Sequence, residues 1–339
     1  ATLRFGTPVA TKTCMKRLST WSARLLLSTL VITIAVPSLS SVEIKPAFLF
    51  RLADFNGVVP YREERISVDR VRDEVYVIHR NYVYVYNNAG MEVYRFGGDP
   101  ALGQMMNLAV DKKGDITILS LDTSPSPASP DRKGYLLLRC NYRGEPVAKL
   151  EIKGLPRKFA EFFPSDLFCR EERLLLVSRA QMLAVETDRN GAFLRGHDFA
   201  ELAGVPEKKR RDVEIFGFSV DREGNMYFTV PTPFSAFKVS PDGTTVEGFG
   251  KAGSKPGSFS VATGIVADDN GNCIVADGQR NMVMVFDGKF RFITEFGNIG
   301  VKKELHMVSP RDLAMGNSGK LYVVQRAARG IFVFSMKPG

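Results

Sequence analysis

IVADDNGNCIVA, residues 265–276, reads as an apolar strand, a polar turn closed by Gly271 and a second apolar strand. Five other stretches have the same form: ISVDRVRDEVYVI (66–78), LAVDKKGDITIL (108–119), LFCREERLLLV (167–177), FSVDREGNMYFT (218–229) and LAMGNSGKLYVV (313–324). Aligned on the last residue of each first strand (Asp69, Asp111, Cys169, Asp221, Asp268 and Gly316), the copies are spaced by 42, 58, 52, 47 and 48 residues. A period in this range marks one supersecondary unit that cannot bury its apolar face alone and must pack on its neighbours.

Each unit continues with two more apolar runs, of which Met282–Phe286 and Phe290–Phe296 are the pair in the fifth. Between them lie turn signals: Asn-Asn-Ala-Gly (87–90), Asn-Tyr-Arg-Gly (141–144), Asp-Arg-Asn-Gly (188–191), Pro-Asp-Gly (241–243) and Asp-Gly (287–288). These supply the positive backbone angles that tight hairpins require. Six units of four antiparallel strands predict an all-β fold, a six-bladed β-propeller. A β-sandwich would not produce sixfold copies. The sixth unit has only three strands before Gly339, and Ala47–Leu52 (AFLFRL) is predicted to supply the fourth. Residues 41–339 then form a single domain with no unpaired seam.

The wording of the repeat resembles a known family. FGKAGSKPGSFSVATGIVADDNGNCIVADGQRNMVMVFDGKFRFITEFG (249–297) is similar to an NHL repeat, with its Gly-rich loop, its "D..GN.yVaD" core and its "vFd..G.f...fG" close. SPRDLAMGNSGKLYVVQRAARGIFVF (309–334) and FSVDREGNMYF (218–228) resemble it more weakly. The resemblance spans roughly residues 47–336 and implies a bacterial exported NHL-repeat propeller. It departs from the pattern where Cys169 replaces the anchor Asp and where the second unit carries a long insertion, Leu121–Gly134.

Met15-Lys16-Arg17 and Arg24 precede an apolar run, Leu25–Val36, followed by small residues before Ser41. That is the layout of a secretory signal peptide over 15–40. Residues 1–14 read as an upstream leader, and the expected location is periplasmic or extracellular. A membrane enters only if the segment stays uncleaved. Residues 1–40 carry five basic and no acidic residues, so without them the chain has 41 basic against 37 acidic residues and its net charge falls from +9 to +4. Three cysteines remain, Cys140, Cys169 and Cys273; an odd number is no disulfide framework, though Cys140 with Cys169 is one conceivable bridge.

Propeller ligands usually meet the face made by the inter-blade loops and the turns between second and third strands. These segments carry 20 Lys/Arg against 13 Asp/Glu, a field that draws anionic ligands. The candidate face residues are His79, Arg80, Asp277, Arg280, Lys302, Arg311, Gln325 and Arg326. Asp277 is preferred among the acids because the anchor aspartates (69, 111, 221, 268) recur in nearly every blade and so serve their own turns. The favoured function is a monomeric, non-catalytic binding or scaffold module for an anionic protein, peptide or glycan, with no cofactor. Nucleic acid is disfavoured, because an exported chain rarely meets RNA.

Enzymatic resemblances give the alternative, a metal-dependent hydrolase or lyase with its site in the central channel. An NHL-like amidating lyase implies zinc held by histidines, and this chain offers only His79, His197 and His306. Gluconolactonase and paraoxonase propellers imply calcium, with Glu64, Asn107, Asp166 and Asp312 as matching oxygen donors here. Arg65 and Arg311 fall in the same zone and suit a dication poorly.

Overall fold

The computed structural model describes residues 44–62, 64–122, 134–231, 235–297 and 305–337. The leader, the signal segment, most of the 121–134 insertion and Lys302 lie outside them.

Six four-stranded antiparallel sheets form the blades of a β-propeller. From the channel outward, blade 1 runs Arg65–Asp69, Glu74–His79, Tyr82–Tyr86 and Glu92–Gly97. Blade 2 is Gln104–Val110, Ile116–Asp122, Gly134–Cys140 and Pro146–Leu150. Blade 3 is Asp166–Arg170, Arg173–Ser178, Leu183–Asp188 and Phe193–Asp198. Blade 4 is Phe218–Val220, Met226–Val230, Ser235–Val239 and Val246–Phe249. Blade 5 is Ala262–Ala267, Cys273–Asp277, Met282–Phe286 and Phe292–Phe296. Blade 6 takes Pro310–Met315, Lys320–Gln325 and Phe332–Ser335 from the C-terminal end, and its outer strand is Ala47–Arg51. Ala47 pairs with Ser335 and Arg51 with Phe332, so the two ends of the domain share one sheet, as the missing fourth strand required.

The packing explains why the second strands are apolar throughout and do not alternate. Each blade is sandwiched between two others, so both faces of its central strands are buried. In blade 5, Cys273 and Val275 pack toward blade 4 beside Tyr227, while Ile274 and Ala276 pack toward blade 6 beside Leu321 and Val323. The buried apolar residues form six clusters, one at each interface between neighbouring blades.

The anchor aspartates do what their recurrence implied. Asp69 accepts from Val71 N, Asp111 from Lys113 N and Asp115 N, Asp221 from Asn225 N, and Asp268 from Asn270 N and Asn272 N, all at 2.8–3.0 Å. They hold the hairpin turns. Cys140, Cys169 and Cys273 are all free thiols, so no bridge joins Cys140 to Cys169.

Candidate functional site

Among the described residues two of the cavities meet the inner strands. The larger, about 620 Å³, follows the central channel from Asn107, Asp166 and Asp312 at the strand starts to Arg70, Asp111 and Asp221 at the turns. At the turn end, Arg70 donates to Asp269 at 2.7 Å, Arg222 pairs with the same carboxylate at 3.0 Å, and Asn317 donates to Arg70 O. Blades 1, 4, 5 and 6 are thereby tied together around that opening.

At the other end the channel holds a charge cluster. Asp166, 1% exposed, takes a bidentate pair from Arg179, with Nη2 to Oδ1 at 2.6 Å and Nε to Oδ2 at 2.8 Å. Ser165 Oγ donates to it at 2.7 Å, and Asn107 Nδ2 approaches at 3.4 Å. Arg65 lies 3.7 Å from Asp166 and 3.8 Å from Asp312, bridging the two acids. Arg179 Nη1 also donates to the Phe216 carbonyl. Burial alone would raise the Asp166 carboxyl, but the charges of Arg179 and Arg65 outweigh it and hold the group below the usual carboxylate range. Asp312, with a weaker share of the same cations, is pushed upward, chiefly by burial. Burial works against the Arg179 charge, yet its two acids keep the guanidinium raised.

This donor set does not fit a dication. The oxygens of Asp166 already hold a guanidinium, a second one spans Asp166 and Asp312, and Asn107 presents its NH₂ group to the carboxylate. The fourth calcium candidate, Glu64, is turned to His79, with Oε1 2.7 Å from Nδ1. The histidines are equally scattered: His79 ends the second strand of blade 1, His197 is buried in the outer strand of blade 3, and His306 precedes blade 6. Among the described residues no three His, Cys, Asp or Glu side chains converge on a point that could hold a metal ion.

The predicted ligand face divides sharply. Asp277, a candidate face residue, is fully buried. Its carboxylate accepts from the backbone N–H groups of Ser260, Val261, Gln279 and Arg280, between 2.6 and 3.2 Å. It folds back on its own loop because those four donors have no strand partner. Arg280 is likewise consumed, donating to both oxygens of Glu295 at 2.8 and 2.9 Å and to Ser258 O at 3.0 Å. Gln325 is buried and accepts from Val308 N at 2.9 Å. Arg311 and Arg326 are exposed.

His79 and Arg80 instead border the second cavity, about 410 Å³, together with Arg62, Glu64, Arg65 and Gln104. Arg62 and Arg80 are exposed and have no ion-pair partner among the described residues. Burial pushes the Glu64 carboxyl above its usual range, against the lowering effect of the His79 hydrogen bond. Arg62 and Arg179 were not singled out in the sequence. A signal for Arg179 was present: it follows the second strand of blade 3 as Arg80 follows that of blade 1 and Arg326 that of blade 6.

Fold and site together define a six-bladed β-propeller with a basic cavity beside a charge-paired channel. No family model matches the sequence. An 80-residue stretch, 23% of this chain, is 31% identical to Protein brain tumor of Drosophila melanogaster and covers only 8% of that protein's length. Among solved structures, a protein of unknown function from Bacteroides thetaiotaomicron superposes with a TM-score of 0.58 at 14% identity, over 86% of this chain and 76% of that one. Virginiamycin B lyase from Staphylococcus aureus gives 0.54 at 13% identity, over 87% of this chain and all of the other (100%). At these identities the likeness establishes a shared propeller architecture.

Proposed function

We propose that this chain is an exported NHL-type propeller acting as a non-catalytic binding module, with its inter-blade loop face taking an anionic protein, peptide or glycan. The observation that carries this reading is the pair Arg62 and Arg80, two exposed guanidiniums at one cavity with no ion-pair partner among the described residues. Elsewhere on the same face, Arg179 and Arg280 are spent on Asp166 and Glu295. A cation left unpaired beside a concave surface attracts anions and raises encounter rates in a salt-dependent way.

The test is binding of the full chain to immobilised poly-glutamate at low and physiological salt. The native protein should bind and weaken as salt rises, and a variant with Arg62→Glu and Arg80→Glu should not bind. Equal retention of both proteins would overturn the reading. Export is checked separately: protein recovered outside the cytoplasm should begin at Ser41 by mass spectrometry.

A further inference from the structure

We infer that the cavity beside the second strand of blade 1 is a subsite for a hydroxylated carboxylate of the sugar-acid type, whose carboxylate meets Arg62 and Arg80 and whose hydroxyl meets Glu64. This rests on the anion-binding reading above and gives its ligand a chemistry.

Glu64 supplies the independent observation. Its side chain is 7% exposed and Oε1 is satisfied by His79 Nδ1 at 2.7 Å. Oε2 is buried with no hydrogen-bond partner among the described residues. Leaving a buried polar atom unpaired is costly, and of the six such side-chain atoms among the described residues Glu64 Oε2 is the one whose residue lines this cavity. Glu64 borders the same 410 Å³ cavity as Arg62 and Arg80, a volume within the range of about 300–1,000 Å³ usual for small-molecule sites.

The pairing of demands narrows the ligand. Two guanidiniums call for an anion, and a carboxylate suits their planar forks. The Glu64 oxygen calls for a group that serves whether or not the carboxyl carries a proton, because burial raises its affinity for one. A hydroxyl both donates and accepts and meets either case. An ammonium would meet only the ionised form and would face Arg62, Arg65 and Arg80. A neutral sugar would leave the arginines unanswered, and a simple fatty acid would leave Glu64 so. The apolar side chains of Ile78, Met105 and Met106 border the cavity and offer packing for the C–H face of a ring.

Isothermal titration of the full chain with glucuronate, glucose and propionate tests the proposal. Glucuronate should bind, and glucose and propionate should each bind about tenfold more weakly or worse. Glu64→Leu, which removes both oxygens at similar volume, should cost glucuronate about tenfold and leave propionate unchanged. Arg80→Asn removes the charge at an exposed turn where φ is +50°, a backbone angle asparagine tolerates, and should weaken both acids. Tri-galacturonate binding more tightly than the monomer would identify a polysaccharide end as the source, and equal binding a free sugar acid. Glucuronate binding no better than propionate, or unaffected by both variants, would overturn the proposal. Poly-glutamate capture through Arg62 and Arg80 without glucuronate binding would overturn the sugar acid alone; failure of both ligands would remove the anion-binding reading as well.

Discussion

In blade 5 the second strand ends on Asp277, which pairs with Met282, and in blade 1 the equivalent residue is His79, which pairs with Tyr82. The blade 5 turn is two residues longer, 278–281 against 80–81, and from its last two residues onward the blades run in step. Arg80-Asn81 corresponds to Arg280-Asn281, with both asparagines at positive φ, and Tyr84 corresponds to Met284. Gly97 and Gly297 close both units, each so near the asparagine carbonyl that a Cβ would stand 2.6 or 2.4 Å from it. A second difference lies across the sheet. Met284 is opposite Glu295, which captures Arg280, whereas Tyr84 is opposite Arg95, which pairs with Glu92 and lies over the Tyr84 ring at 4.9 Å. Glu295 in place of Arg95, together with the longer turn that Asp277 holds, separates a closed structural turn in blade 5 from an open cationic one in blade 1. The lesson is that a propeller repeats its scaffold while the partner of a repeated side chain can differ from one copy to another.

The comparison can be broken most forcefully at the closed turn. Asp277→Ala strips four backbone N–H groups of their acceptor in a buried loop and should cost roughly 3 kcal/mol, read from denaturant unfolding. A loss below about 1 kcal/mol would show that the loop does not depend on that carboxylate. Next in size is the arginine contrast. Arg280→Ala leaves Glu295 half-buried and unpaired, for about 2 kcal/mol, while Arg80→Asn should stay within about 0.5 kcal/mol. Equal costs at the two positions would mean that their surroundings do not differ as described. A smaller change sharpens the contrast by transplanting it. Glu92→Gln with Arg95→Glu puts a blade 5 carboxylate opposite Tyr84. It should capture Arg80, weaken anion binding about tenfold and alter stability by less than about 1 kcal/mol.

Much of the fold was legible because its cause is local and repeated. Hairpin turns such as Asp268 to Gly271 recur with their hydrogen bonds, and closure through Ala47–Arg51 followed from a missing strand. The roles of individual arginines were not legible. Whether Arg280 is free depends on Glu295, which sits beside it only through the strand register. The burial of Asp277 comes from the loop at 260–261 folding onto it, a contact no spacing announces. Glu64 looked like a channel oxygen donor by alignment with Asp166 and Asp312, yet His79 draws it to the neighbouring cavity.

The smallest effect concerns that same Glu64, whose carboxyl is raised by burial more than the His79 contact lowers it. An acid with a raised folded pKa holds more protons folded than unfolded once the pH exceeds its unfolded value of about 4.3. Its contribution therefore favours folding at low pH and is lost as the pH rises through the folded pKa. Glu64→Gln removes the titration. The variant's stability should fall less steeply than the native protein's above about pH 4.3, with a difference at neutral pH under about 1 kcal/mol. Blade 5 offers the control: Glu295, whose oxygens are both engaged by Arg280, should on substitution by Gln lower stability at neutral pH. Parallel pH–stability profiles for the native protein and Glu64→Gln would mean that the buried oxygen already has a partner, and the open character assigned to blade 1 would fail with it.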